Sequence, residues 1–179
     1  MIDTALAKRY ARALVDIGQE KDALEQYGRD LSSIRELMEI SGDFREILVN
    51  PVFPKEEKKR VSSEIMGKMG LDPMVSNFVH VLIDRKRIGL LTSIERAYMA
   101  EVDEIRGITR GEVTSAVPLG DEELTRITDS LSIQSGKQVI VTTKVEPSLI
   151  GGIVAKVGDM VFDGTIRTQL NQLKESLKG

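Results

Sequence analysis

Residues 151–170 read GGIVAKVGDMVFDGTIRTQL, two apolar runs punctuated by Gly-Gly, Gly-Asp and Asp-Gly and followed by an amphipathic stretch. This order predicts strand, turn, strand, turn, helix. Asp163-Gly164 is expected to supply the positive φ of a tight reversal, and Ile166, Leu170, Leu173 and Leu177 then recur at helical spacing. Upstream, Val113, Ser115 and Val117 alternate with Thr114 and Ala116. Pro118-Leu119-Gly120 then turns into a helix whose Glu122 and Glu123 favour its positive N-terminal end. Alternation returns over residues 139–145, rich in β-branched side chains. Residues 107–179 therefore predict a small α/β domain of strands and two helices. At that size a hydrophobic core alone supplies little stability, so order is expected to depend in part on a partner.

Residues 1–106 keep the 3.6-residue period instead, with breaks where helices stop. Asp3 is expected to cap a first helix carrying Leu6, Tyr10, Ala13, Leu14 and Ile17 and ending near Gly18. A second carries Leu24, Tyr27, Leu31, Ile34 and Met38. Ser41-Gly42 interrupts, a short third helix spans 43–49, and Asn50-Pro51 stops it. Pro54 suits the first turn of a fourth helix with Val61, Ile65 and Met69 inward and Gly70 closing it. Asp72-Pro73 opens a fifth. The sixth carries the stripe Leu90, Leu91, Ile94, Ala97, Tyr98, Val102 and Ile105. The expected architecture is an N-terminal six-helix bundle followed by the small α/β domain.

Composition narrows the function. The chain has 179 residues, 41% hydrophobic and 30% charged, with a formal net charge of -3. That balance disfavours a general nucleic-acid binder, which needs surplus Lys and Arg to displace counterions from phosphates. Aromatic content of 4% leaves no stacking platform for single strands. The absence of cysteine removes disulfides, thiolate metal sites and cysteine nucleophiles. No apolar run approaches the roughly 18 residues that span a bilayer, and the N-terminus lacks a signal-peptide core, so membrane association is expected to run through a partner.

Few residues carry candidate chemistry. Gly151, Gly152 and Gly158 lack the Gly-Lys-Ser/Thr or GxGxxG spacing of phosphate loops and read as turn or bulge glycines. Asp159 and Asp163 adjoin glycines and suit turns better than a catalytic carboxylate pair, since no base, nucleophile or metal partner lies near. His80, the single histidine, sits mid-helix with no second ligand at i+4 and reads as a surface or interface residue. KEEKKR at 55–60 reads as a solvated face with pairs at helical spacing, an anionic-lipid contact being the lesser alternative. No catalytic, cofactor or metal residue is expected. The fifth helix is the anomaly: Val75, Phe78, Val79, Val81, Leu82 and Ile83 wrap more than one face. It is either a fully buried central helix or one wall of a groove that takes up another helix.

Four strings in chain order bear on this choice: AKRYARAL at 7–14 after one upstream Leu, NPVFPKEEKKRV at 50–61, DRKRIGLL at 84–91 and GDMVFDGTIRTQL at 158–170. Together they resemble the delta subunit of bacterial ATP synthases, the relative of the mitochondrial oligomycin-sensitivity-conferring protein, over nearly the whole chain. The resemblance implies a non-catalytic stator subunit without cofactors, linking the peripheral stalk to the catalytic head of a rotary proton-translocating ATP synthase. It places the chain peripherally at the cytoplasmic face of the bacterial cell membrane, within the complex. It further implies that the first and fifth helices form a groove for the N-terminal helix of the alpha subunit, with Tyr10, Ala13, Ile17, Asn77 and Val81 as contacts and Phe78, Val79 and Leu82 as core. Residues 107–179 would hold the b-type stalk subunits, with Gly151, Gly152, Gly158, Asp159, Asp163 and Gly164 as the C-terminal signature. Gly120 departs from the family's Ser or Thr cap, although Glu123 is placed to close half a capping box. A helical adaptor docking an amphipathic helix in some other complex is the alternative.

Overall fold

The computed structural model describes residues 2–168, 170 and 174, the side chains of Ile2 and Asp3 excepted. The chain is mostly helical, with a small mixed four-stranded sheet toward its C-terminus. It divides into two compact units, Met1–Val102 and Asp103–Gly179, each with its own hydrophobic core.

In the first unit, α1 (Ile2–Glu20), α2 (Leu24–Ile40), α3 (Gly42–Val49), α4 (Lys55–Met69), α5 (Pro73–Asp84) and α6 (Leu91–Ile105) follow one another through short turns. A 3₁₀ turn at Ile88–Leu90 is a seventh helical element that the six-helix expectation lacks. With α7 of the second unit, eight helical elements are formed within residues 2–163. The 3₁₀ turn takes Leu90 out of the sixth helix. Lys86 at φ +55 ends α5, the Arg87 N–H returns to the Leu82 carbonyl, and the short connection leaves room only for the tighter winding.

Local chemistry accounts for most boundaries. The Ser41 hydroxyl accepts from the Phe44 N–H and caps α3. The Asp72 carboxylate accepts from the Met74 N–H and Pro73 occupies the first turn of α5. Gly70 closes α4 in the left-handed region at φ +68. Asp3 does not cap α1, because the helix already includes Ile2.

Two expected faces are rotated, and a third loses only its last residue. On α1 the inward residues are Ala7, Ala11, Leu14 and Val15, while Ala13 is exposed and Tyr10 and Ile17 are half-buried. On α4 the inward line is Lys58, Ser62 and Met66, with Val61 and Ile65 partly covered and Met69 exposed. The Lys58 stem crosses apolar surface and its ammonium donates to the Leu48 carbonyl at the end of α3 (2.8 Å), a C-terminal cap that hydropathy does not reveal. On α6 Leu91, Ile94, Tyr98 and Val102 are buried as expected, but Ile105 is exposed. The Tyr98 hydroxyl donates to the Leu24 carbonyl (2.9 Å).

The second unit pairs β1 (Ile108–Ser115), β2 (Gln138–Val145), β3 (Ile153–Val157) and β4 (Met160–Asp163) in the order β2-β1-β3-β4. β1 and β2 are parallel and joined through α7 (Asp121–Ser135), whereas β3 runs antiparallel to both β1 and β4. A parallel pair needs such a crossover. Val113, Val139, Ala155 and Val157 meet Leu131 of α7 in the core, while Val117 lies beyond β1 and is exposed. The β3–β4 reversal occurs at Gly158-Asp159, with Gly158 at φ +57. Asp163-Gly164 is not that reversal, and Gly164 keeps an ordinary φ. Residues 166–168, 170 and 174 are helical; Leu173 and Leu177 of the expected helix lie outside the described residues.

Candidate partner-binding faces

The first and fifth helices do come together. The ring of Tyr10 on α1 meets the ring of Phe78 on α5 edge-on, with centroids 6.2 Å apart and planes at 74°. Behind this contact Val75, Val79, Leu82 and Ile83 are buried, so α5 spends most of its apolar surface on its own core. Phe78 is half-buried and supports Tyr10, in agreement with a packing role. Ala13 and Asn77 are exposed and Ile17 is partly covered. Val81 keeps 46% of its surface accessible. An exposed β-branched side chain, a small residue and two half-covered apolar ones thus lie on the two helices that the Tyr10–Phe78 pair joins.

His80 lies on the same helix but has a different environment. Its Nε2 is 3.0 Å from the Ser63 hydroxyl on α4, and burial, then the nearby Lys59 charge, hold its pKa below the usual histidine value, against the opposing pull of Asp84. Asp84 pairs with Lys59 (2.6 Å), and that hydrogen bond is the largest cause of its depressed carboxyl pKa. Lys55 donates to the Asp84 carbonyl (2.8 Å). The basic run at 55–60 is therefore only partly a solvated face, because Lys58 is buried and Lys55 and Lys59 tie α4 to the end of α5.

The C-terminal signature is a packing device. Gly152 sits at φ +84, and a Cβ there would collide with the Gly164 carbonyl and the Thr165 backbone. A Cβ on Gly151 would meet the Ile166 side chain. The close approach lets the Gly164 N–H donate to Ile153 (2.9 Å) and the Ile166 N–H donate to the Gly151 carbonyl (3.1 Å). Asp163 accepts from the Thr165 N–H (2.9 Å) and the Thr168 hydroxyl (2.8 Å). The Thr165 N–H, then the Thr165 and Thr168 hydroxyls, lower its pKa. Thr165 in turn accepts from the Thr168 N–H and caps the helical residues that follow. Asp159 occupies the Gly158 reversal. Asp163 thus sits in a cap and Asp159 in a turn. The half capping box also forms, with the Gly120 N–H donating to Glu123 (3.0 Å). Sequence reasoning missed the joint role of Gly151 and Gly152, although a Gly pair ahead of a strand signals close backbone approach.

The model of the ATP synthase delta (OSCP) subunit family matches residues 6–177. The chain belongs to that family. It is 42% identical to the ATP synthase subunit delta of Geobacter metallireducens over 99% of both chains. Against the subunit delta of Desulfosudis oleivorans it is 41% identical, over 99% of this chain and 97% of the relative. A chain of the Toxoplasma gondii mitochondrial ATP synthase hexamer, known by cryo-EM, superposes with a TM-score of 0.69 at 26% identity, covering 97% of this chain and 98% of that one. As a delta (OSCP) family member the chain is a non-catalytic stator subunit of the ATP synthase complex. That complex is membrane-associated. Among the described residues no helix is long and apolar enough to cross a membrane.

Proposed function

We propose that this stator subunit fastens the catalytic head of a proton-translocating ATP synthase to its peripheral stalk through two separate contacts. The unit ending at α6 binds the N-terminal amphipathic helix of an alpha subunit between α1 and α5, using Tyr10, Ala13, Ile17, Asn77 and Val81. Residues 107–179 bind the C-terminal ends of b-type stalk subunits, at the cytoplasmic face of the cell membrane. The observation that supports the first contact is the Tyr10–Phe78 edge packing with Val81 left exposed beside it. Helix-in-groove docking can bury a continuous apolar stripe, and nanomolar affinity needs only about -12 kcal/mol from such anchors.

Calorimetric titration of the whole chain with a synthetic alpha N-terminal helix tests the reading. Val81→Asp is the sharper variant, because Val81 is half-exposed while Tyr10 also supports Phe78. Loss of at least about tenfold in affinity, or about 1.4 kcal/mol, is expected with thermal stability nearly unchanged. Normal binding by a folded Val81→Asp protein would defeat the groove assignment.

A further inference from the structure

Where α3 ends and α5 passes into the 3₁₀ turn, the first unit holds a cavity of about 370 Å³ that shares no residue with the α1–α5 contact set. Val49, Phe53, Ile83 and Ile88 give it an apolar floor, and its charged lining is Lys55, Lys58 and Lys86, with no carboxylate. A volume in this range suits a small group or one to two side chains.

Two of the three lysines are hydrogen-bonded in place. Lys58 is 8% exposed, and the Leu48 carbonyl takes one of its three ammonium donors. Lys55 is fixed by its bond to the Asp84 carbonyl. Lys86 follows the Arg85 C-cap of α5 in the left-handed region at φ +55, as Asp22 follows α1 at φ +51, whereas α4 and α7 are closed in that region by Gly70 and Gly136, at φ +68 and +67. Only glycine meets that conformation without steric penalty.

We propose that this cavity is a docking site for an acidic peptide segment of a partner protein, which places an apolar side chain on the Val49–Phe53–Ile88 floor and a carboxylate among Lys55, Lys58 and Lys86. Charge complementarity selects the occupant: three lysines and no carboxylate among the lining residues, beside an apolar floor, match an acidic residue next to an apolar one.

The test uses the whole chain, isotope-labelled, titrated with the peptide acetyl-Glu-Asp-Leu-Phe-Asp-Glu-amide and followed by NMR. Saturable shifts are expected at Val49, Phe53 and Ile88, with at least tenfold weaker binding in Lys86→Gly. That variant relieves the left-handed backbone, so its thermal midpoint must equal or exceed the parent's, which separates lost binding from lost fold. Val81→Asp should bind the peptide normally. Absence of saturable shifts, or equal binding by Lys86→Gly, overturns the proposal. So does an equal affinity for the Lys-Lys-Leu-Phe-Lys-Lys analogue. Vesicles of phosphatidylcholine and phosphatidylglycerol that bind the protein through Lys86 while the acidic peptide does not would also overturn it, in favour of a lipid contact.

Discussion

Replacing Gly152 by alanine should unfold most of the second unit while leaving the bundle intact, and its two neighbours supply internal controls. At Gly152 two costs add. The φ of +84 is unfavourable for any residue with a Cβ, at about 1–2 kcal/mol. The new methyl also strikes the Gly164 carbonyl and the Thr165 backbone, which can yield only by shifting chain, at about 1–3 kcal/mol more. The sum, about 2–5 kcal/mol, rivals the roughly 3–5 kcal/mol that a core this small supplies. Gly158→Ala carries only the backbone term, because its nearest neighbour, the Thr109 methyl, stands at an ordinary 3.6 Å. Gly151→Ala meets only the mobile end of Ile166 and should cost least. Thermal unfolding of the whole chain followed by NMR distinguishes the units, with amides of Leu31 and Ile94 reporting the bundle and those of Val113 and Ala155 the sheet. The expected order of destabilisation is Gly152, then Gly158, then Gly151. Each kcal/mol moves the midpoint of a domain this size by about 4–8 °C. A Gly152→Ala protein that melts no lower than Gly158→Ala would refute the claim that the Gly-Gly pair exists to let the Gly164-Thr165 backbone approach.

Three further outcomes follow from named contacts. Tyr98→Phe leaves the Leu24 carbonyl without its buried hydroxyl donor and should cost the bundle about 1–2 kcal/mol in urea unfolding; a change near zero would show that this bond contributes nothing net. His80 has a lowered folded pKa, so the neutral ring is favoured in the fold: its contribution is complete above the unfolded value of about 6.5 and fades as pH falls through the folded one. Bundle stability measured from pH 7 down to 5 should therefore decline, and His80→Gln should flatten that decline. Asp163 is likewise depressed, so its contribution to the second unit is present above about pH 3.9 and is lost as pH falls toward the folded pKa; an unchanged acid limb in Asp163→Asn would exclude that source.

Breaks and caps were legible because each is one residue's chemistry. Ser41, Gly70, Asp72-Pro73 and Gly120 with Glu123 all act where their side chains or backbones predict. Faces were less legible. The inward line of α4 contains Lys58, which hydropathy turns outward, and the reason it faces inward is a carbonyl ten residues earlier. The 3₁₀ turn escaped because Leu90 and Leu91 continue the apolar stripe of α6 in sequence but not in winding. The turns at Gly158-Asp159 and Asp163-Gly164 both lie where the pattern puts them, but the positive φ expected at Gly164 is found at Gly158 instead, since both dipeptides are turn formers and only strand pairing decides between them. Alternation also marked β1 and β2 as strands without indicating that they pair in parallel, a choice set by the α7 crossover.

The fifth helix shows what the candidate groove adds to the pattern. Four of its apolar residues are consumed by the core and Phe78 is half-consumed, so the excess noticed in sequence reduces to Val81 and the flank of Phe78. A central helix buried on all sides would have covered Val81; it remains 46% accessible beside exposed Asn77. One half-exposed valine is unremarkable by itself. Its weight comes from position: Tyr10 reaches from α1 to the same helix, and Ala13, one turn along α1 from Tyr10, is small and exposed. Adding bulk at Ala13 should reproduce the effect of a charge at Val81. Ala13→Trp leaves the buried line of Ala7, Ala11 and Leu14 untouched and should keep the fold while excluding an alpha helix. If Ala13→Trp and Val81→Asp both bind the peptide normally, the contact lies on another face and the half-exposed surface of α5 is incidental.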